Sequence, residues 1–334
     1  VVKLFKENNV VEIIKKRDEA ESKLIYGDES AALALVNETR KLLSTVPTKS
    51  REDETTKKTV TDALDTIMKR LERWQTVAPE MIARLTEAAP EATADHLVMI
   101  DGAMLAYGRD DSRLYRIDPK TKSVSVQTRP ERLKFIRATT PKEQDVTLFL
   151  TDNNGIAAYD KKTQTVSSRD LAQNELPIAD IIVYSQRLYT LVKQDGQIYR
   201  HNKTQTGYDK GGQWLKHADP TLATAVSFAI DGDLYALTAS GTIHKYAAGR
   251  PETFAIKGLS PEFTAPTQLW TYNGVAYLYI LEPGARRIAV LNKDGVLVKQ
   301  YTAKEWQNPT GMIIDEEKKV GYVIDKTIVY RFTL

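Results

Sequence analysis

The chain offers little to catalysis, and what it offers is poorly spaced for it. Four histidines, His96, His201, His217 and His244, stand among 334 residues without a single cysteine. The lack of cysteine excludes disulfides, thiol nucleophiles and thiolate metal sites. No histidine pair has the HxH, HExxH or HxxxH spacing that brings two imidazoles to one metal. His201 and His217 flank one long connection and could meet in space, but no third ligand accompanies them. Gly-x-Ser-x-Gly elbows, Ser-x-x-Lys pairs and Gly-x-x-x-x-Gly-Lys-Ser/Thr phosphate loops are missing. Six aspartates recur: Asp101, Asp152, Asp195, Asp231, Asp294 and Asp315. Almost all precede Gly or Asn at a tight turn, where Asp bonds its own backbone, and that accounts for them without a metal. The expectation is no metal, no cofactor and no identifiable catalytic residue. Carboxylate pairs drawn from distant segments stay open as an acid–base alternative.

Residues suited to binding are easier to name. Trp214 follows Gly211-Gly212-Gln213 in a loop, and Trp306 lies in the polar connection 304–309. Exposed on such connections, an indole suits a peptide or a sugar, since both present flat apolar faces with polar rims. Alternatively, each indole plugs a gap between neighbouring packing units. Arg129, Arg132, Lys134, Arg137 and Lys216 stand near similar connections and could form a positive rim. The candidate ligand-binding set is Trp214, Trp306, Arg132, Lys134, Lys216 and His217.

Charge narrows the partners. The net charge is +3, from 47 basic and 44 acidic side chains. Residues 1–88 hold 16 of each sign, leaving 31 and 28 for the remainder. Neither part has the basic excess of a nucleic-acid binder, so no nucleic-acid partner is expected. No apolar stretch approaches the ~20 residues that span a bilayer. Any membrane link is expected only through a segment before Val1.

The elements that must position these side chains repeat. Segments 188–200 and 234–246 each hold two alternating apolar runs joined by a Gly-containing turn, the signal of a β-hairpin. Taking Leu114, Ile156, Ile198, Ile243, Ile288 and Ile328 as equivalent, the steps are 42, 42, 45, 45 and 40 residues. A period of that size with about four short strands per copy predicts a β-propeller. The last copy supplies three strands before the chain stops, so strand 80–85 is expected to complete it and close the ring. The result is a mainly β, six-bladed propeller over residues 77–334.

Residues 1–76 read as helices instead, forming a helical hairpin or small bundle that serves as a stalk or spacer. An apolar stripe runs through Val10, Val11, Ile14, Ala20 and Leu24. Asp28 or Ser30 can cap a second helix, and a third opens near Ser50 with Glu52 and Asp53 in its first turn. Segment 20–32 resembles the inter-helix turn of tetratricopeptide-type helical pairs.

The repeat units resemble those of NHL and YVTN-like six-bladed propellers. The nearest matches are Pro309-Thr-Gly-Met-Ile-Ile-Asp315 and Asp231-Gly-Asp-Leu-Tyr-Ala-Leu237. A helical segment feeding such a propeller also resembles the extracytoplasmic part of membrane-anchored bacterial proteins, which implies a place at the bacterial cell surface. Related lactonase-type propellers use a Glu, Asn and Asp set around calcium, and no corresponding signature stands here. The reading is a non-enzymatic binding or sensor module for a protein, peptide or glycan. The rival is a channel-centred hydrolase or lactonase, with or without calcium.

Overall fold

A computed structural model describes residues 2–334 except 47, 49, 131–132, 141–145 and 173–175, with side chains from residue 10 onward. The chain divides into two compact units, Val1–Trp74 and Gln75–Leu334.

The first unit holds helices α1 (Val2–Ile25), α2 (Glu29–Thr45) and α3 (Arg51–Leu71). The Asp28 carboxylate accepts the Ala31 N–H and the Ser50 hydroxyl accepts the Asp53 N–H, so both caps satisfy donors that a helix start leaves unpaired. The buried positions are Ile13 and Ala20 on α1, Val36 and Leu43 on α2, and Val60, Leu64 and Ile67 on α3. Spacings of three, four and seven place each set on one helix face. The stripe on α1 is turned from the expected one: Ile13 is buried while Val11 is 65% exposed. A seven-residue repeat through Ile13 and Ala20 meets the other two helices, and Val11 falls outside it. Lys16–Glu38 and Arg40–Asp65 pair the helices across their surface. No helix of the described residues is long and apolar enough to cross a membrane.

The second unit is a six-bladed β-propeller. Each blade runs outward from an inner strand: His96–Ile100, Phe135–Thr139, Asp180–Tyr184, Ala225–Ile230, Gln268–Trp270 and Pro309–Asp315 for blades 1 to 6. In blade 6 the outer strand is Glu80–Arg84, antiparallel to Ile328–Thr333, so the two ends of the propeller unit share one sheet. That pairing leaves no open edge in the ring. The Arg331 guanidinium donates to Glu80 across the seam. Blade 2 carries a further short strand, Gly207–Tyr208, which leaves blade 3 and pairs parallel with Asp170 and Leu171.

Hydrophobic cores lie between neighbouring blades. Leu148, Ile156, Ile181 and Leu188 join blades 2 and 3, and Leu237, Ile243, Leu278 and Ile280 join blades 4 and 5. The repeated aliphatic of the hairpin motif sits on each third strand: Ile156 faces Leu150, Ile198 faces Leu191, Ile243 faces Leu237 and Ile288 faces Leu281. In blade 6 the match is Val329 against Ile324, one residue beyond Ile328. Val329 is wholly buried and Ile328 only half so.

Turns follow their residue types. Asp101 and Gly102 take φ of 47° and 75°, the left-handed pair that a two-residue hairpin turn requires. Gly196 has φ +62°, and a Cβ there would lie 2.5 Å from the Asp219 carbonyl oxygen, so only glycine fits.

Candidate functional site

The inner strands surround a central channel of about 1200 Å³. In a propeller these strands turn one backbone edge to the axis, and an open edge is a row of unpaired N–H and C=O groups. Here side chains cover it. In blades 2 to 6 the inner-strand residues paired with Leu150, Leu191, Leu237, Leu281 and Ile324 are Arg137, Asp180, Ser227, Gln268 and Gly311. In blade 1, His96 opposite Tyr107 holds the matching place. These six residues form one layer around the channel, one from each blade.

Several members of the layer bond the next blade. Asp180 Oδ2 accepts the Phe228 N–H at 3.3 Å, Ser227 Oγ accepts the Leu269 N–H at 3.2 Å, and Gln268 Oε1 accepts the Met312 N–H at 2.9 Å. Tyr107, on the second strand of blade 1, does the same for the Ala138 N–H, Thr139 Oγ1 accepts the Val183 N–H at 3.1 Å between blades 2 and 3, and Thr310 Oγ1 donates to the Asp95 carbonyl, which completes the circuit. A hydrogen-bonded belt therefore links all six blades. Gly311 sits close to blade 1: a Cβ there would lie 3.3 Å from Leu97 N and 3.4 Å from His96 Cα, so a larger residue would press on that strand.

His96, Arg137 and Gln268 keep surface in the channel. His96 stacks on Tyr107 with ring centroids 5.3 Å apart, and its Nδ1 lies 2.6 Å from Asp95 Oδ1. Arg137 places Nε 3.7 Å from Asp180 Oδ1, bonds its own residue's neighbour Ile136 O through Nη1, and reaches Val226 O of blade 4 through Nη2 at 3.5 Å. Asp180 is 7% exposed, and burial pushes its carboxyl up to about 6 against the opposing pull of Arg137 and two backbone N–H groups. Burial likewise raises the Tyr107 hydroxyl. The opposite end of the channel is lined by turn residues, among them Asp101, Tyr272, Asn273 and Glu316.

The residues singled out by sequence lie elsewhere. Trp306 is wholly buried between blades 5 and 6, edge-on to Phe332 at 5.4 Å, so it has no surface to offer a ligand. Of its two expected roles, the position is that of a plug. Trp214 is half-buried against blade 4 and meets Tyr189 edge-on at 6.2 Å. Lys216 and His217 are exposed on the connection after it, and Lys134 pairs with Asp110 at 3.5 Å between blades 1 and 2. Arg132 lies outside the described residues. None of the described five lines the channel, and they are spread over three different inter-blade connections. His201 does not seek His217: it is buried, with Nε2 3.0 Å from Thr190 Oγ1 and Nδ1 2.8 Å from Asp209 O. Burial lowers its pKa. Among the described residues no three His, Asp or Glu side chains converge as a metal site would need.

Sequence reasoning missed the layer because its members share a place and not a residue type. The signal that exists is spacing: His96, Arg137, Asp180, Ser227, Gln268 and Gly311 follow one another at 41, 43, 47, 41 and 43 residues. Of these, Arg137 stood out in the sequence as part of a basic rim, and His96 only as one of four histidines without a partner at metal-binding spacing.

No protein-family model and no curated protein matches the chain. Solved structures do. A streptogramin B lyase is 17% identical with a TM-score of 0.56, over 77% of this chain and 98% of its own. Regucalcin, a calcium-binding protein of Agrobacterium tumefaciens, is 11% identical with a TM-score of 0.55, over 78% and 95%. Hydrazine synthase of Kuenenia stuttgartiensis is 9% identical with a TM-score of 0.52, over 72% and 96%. What these likenesses show is a shared fold. At such identities the likeness is one of fold, and function is argued from the site.

Proposed function

We propose that the propeller is a non-enzymatic binding module whose ligand, a segment of protein, a peptide or a glycan, enters the channel mouth. The helical unit then serves as a spacer. The observation that carries this reading is the belt. Asp180, Ser227, Gln268 and Thr310 are polar groups of the channel wall, and each already holds the backbone of a neighbouring blade. Their work is to keep a concave, polar surface in shape. A preformed surface of this kind binds with little ordering of its own groups.

The test is a thermal-shift screen of the full chain against peptides and glycans, in parallel with Ile182→Trp, which adds bulk to the channel wall. A ligand that raises the melting temperature of the wild type more than that of the narrowed variant supports the reading. A ligand that stabilises both equally binds elsewhere and sinks it. Trp214→Ala should respond like the wild type.

One observation favours the hydrolase reading instead. His96 Nδ1 sits 2.6 Å from Asp95 Oδ1 beside the channel, and a carboxylate that orients an imidazole is the arrangement of a general base. Hydrolysis of ester or lactone substrates that disappears in His96→Ala would install that reading in place of the first.

A further inference from the structure

We infer that Arg137 is a carboxylate-binding site at the channel mouth, which makes an acidic group the recognised part of the ligand; this rests on the binding-module reading. Arg137 has donors to spare. A guanidinium carries five N–H groups in a planar fork that matches a carboxylate. Arg137 spends Nη1 on the Ile136 carbonyl at 2.8 Å and Nη2 on Val226 O at 3.5 Å, the limit of a hydrogen bond. Its nearest carboxylate oxygen, Asp180 Oδ1, is 3.7 Å from Nε, outside bonding range. Asp180 does not close the gap because Ile181 N–H and Phe228 N–H already hold its two oxygens.

Arg287 shows what a purely structural arginine looks like in the same propeller. It is wholly buried, donates Nε and Nη2 to Glu282 Oε2 at 2.7 and 2.6 Å, Nη1 to Gln300 Oε1 at 2.6 Å, and Nη2 to Glu262 O at 3.1 Å. Arg137 is held loosely by comparison, and 35% of its side chain stays exposed at the channel. His96, Thr139 and Thr140 line the same wall and can bond the remainder of a ligand.

The titratable and charged groups facing Arg137 are Asp95, His96, Tyr107 and Asp180. Asp180 opposes an incoming carboxylate while it is ionised. Burial raises its pKa to about 6, so its negative charge fades as the medium turns acid. Affinity for a carboxylate should accordingly tighten on acidification.

Two sources present this chemistry, a peptide C terminus and an acid sugar. The experiment is calorimetric titration of the full chain with four probes: N-acetylated tetrapeptides with a free C terminus, the same peptides amidated, glucuronic acid, and glucose. The expected result is that one acid binds at least about tenfold more tightly than its neutral counterpart, the gain of a charge-assisted bidentate pair. Which acid binds identifies the source. Arg137→Gln should erase the preference, and Arg137→Lys should keep part of it because the charge stays and the fork is lost. Affinity of the acid should rise several-fold from about pH 7.5 to about pH 5.5. Equal binding of acid and neutral probes, or an acid preference that survives Arg137→Gln, overturns the inference and leaves the binding module standing. Failure of all four probes to bind the wild type at either pH overturns the inference together with the channel as their site.

Discussion

One carboxylate oxygen of Asp180 accepts the backbone N–H of Phe228, so a side chain of blade 3 covers the open edge of blade 4. Ser227 and Gln268 repeat the relationship toward blades 5 and 6. An inner-strand edge left bare would cost stability at every unpaired donor that lacks water and would invite another strand. The belt therefore explains how a channel can run through this fold without loosening it.

Gln268→Ala tests the belt. The Gln268 amide bonds both the Met312 N–H and the Met312 carbonyl, and the substitution strands both groups. A loss of about 1–3 kcal/mol is expected in denaturant unfolding of the propeller transition. A midpoint unchanged from the wild type would show that water replaces the amide without cost.

Asp180 should print its pKa on stability. Its folded value, about 6, is raised above the value near 4 of an exposed aspartate. The folded chain thus keeps a proton that the unfolded chain releases between those limits. The associated stability is full below about pH 4 and is lost as pH rises through about 6, amounting to about 3 kcal/mol. Asp180→Asn is neutral throughout and lacks this slope. Wild type minus variant should therefore fall between pH 4 and pH 7; parallel stability curves would contradict the assignment.

Trp306 is a core residue and should behave as one. Trp306→Ala is expected to cost about 3–5 kcal/mol by leaving a cavity against Phe332. Trp306→Phe should cost less than Trp306→Ala, because it fills part of the space and removes an indole N–H that has no acceptor. Neither change should alter binding of a channel ligand in the fraction that remains folded. Altered affinity would restore Trp306 to the ligand site.

Glu282 and Arg287 form a buried pair whose other atoms are satisfied by Thr264, Ala265 and Gln300. Removing one partner strands the other charge. Glu282→Ala is expected to lower stability by about 3–5 kcal/mol, whereas Glu80→Ala, which breaks the exposed pairs with Arg331 and Lys122, should cost far less. Chemical denaturation of the two variants side by side decides it. Similar losses would mean that burial is not what sets the value of these pairs.

The sequence by itself determined the elements and their repetition. Asp195-Gly196 and Asp101-Gly102 specify tight turns through backbone conformations that few other residues adopt, and the apolar alternation beside them marks strands two at a time. Asp28 and Ser50 specify helix starts for the same local reason. Counting the hairpins was enough to reach a six-bladed propeller. Only the tertiary structure decided which residues meet. Trp306 and Trp214 both sit in polar connections, yet the packing of blades 5 and 6 swallows the first while the second stays half-exposed. His96, Arg137, Asp180, Ser227 and Gln268 share no motif, and they become neighbours because ring closure sets the opening residues of five distant strands around one axis. Local chemistry fixes a turn within four residues. A channel wall is assembled from residues more than forty apart, and nothing in the chain between them records that they will touch.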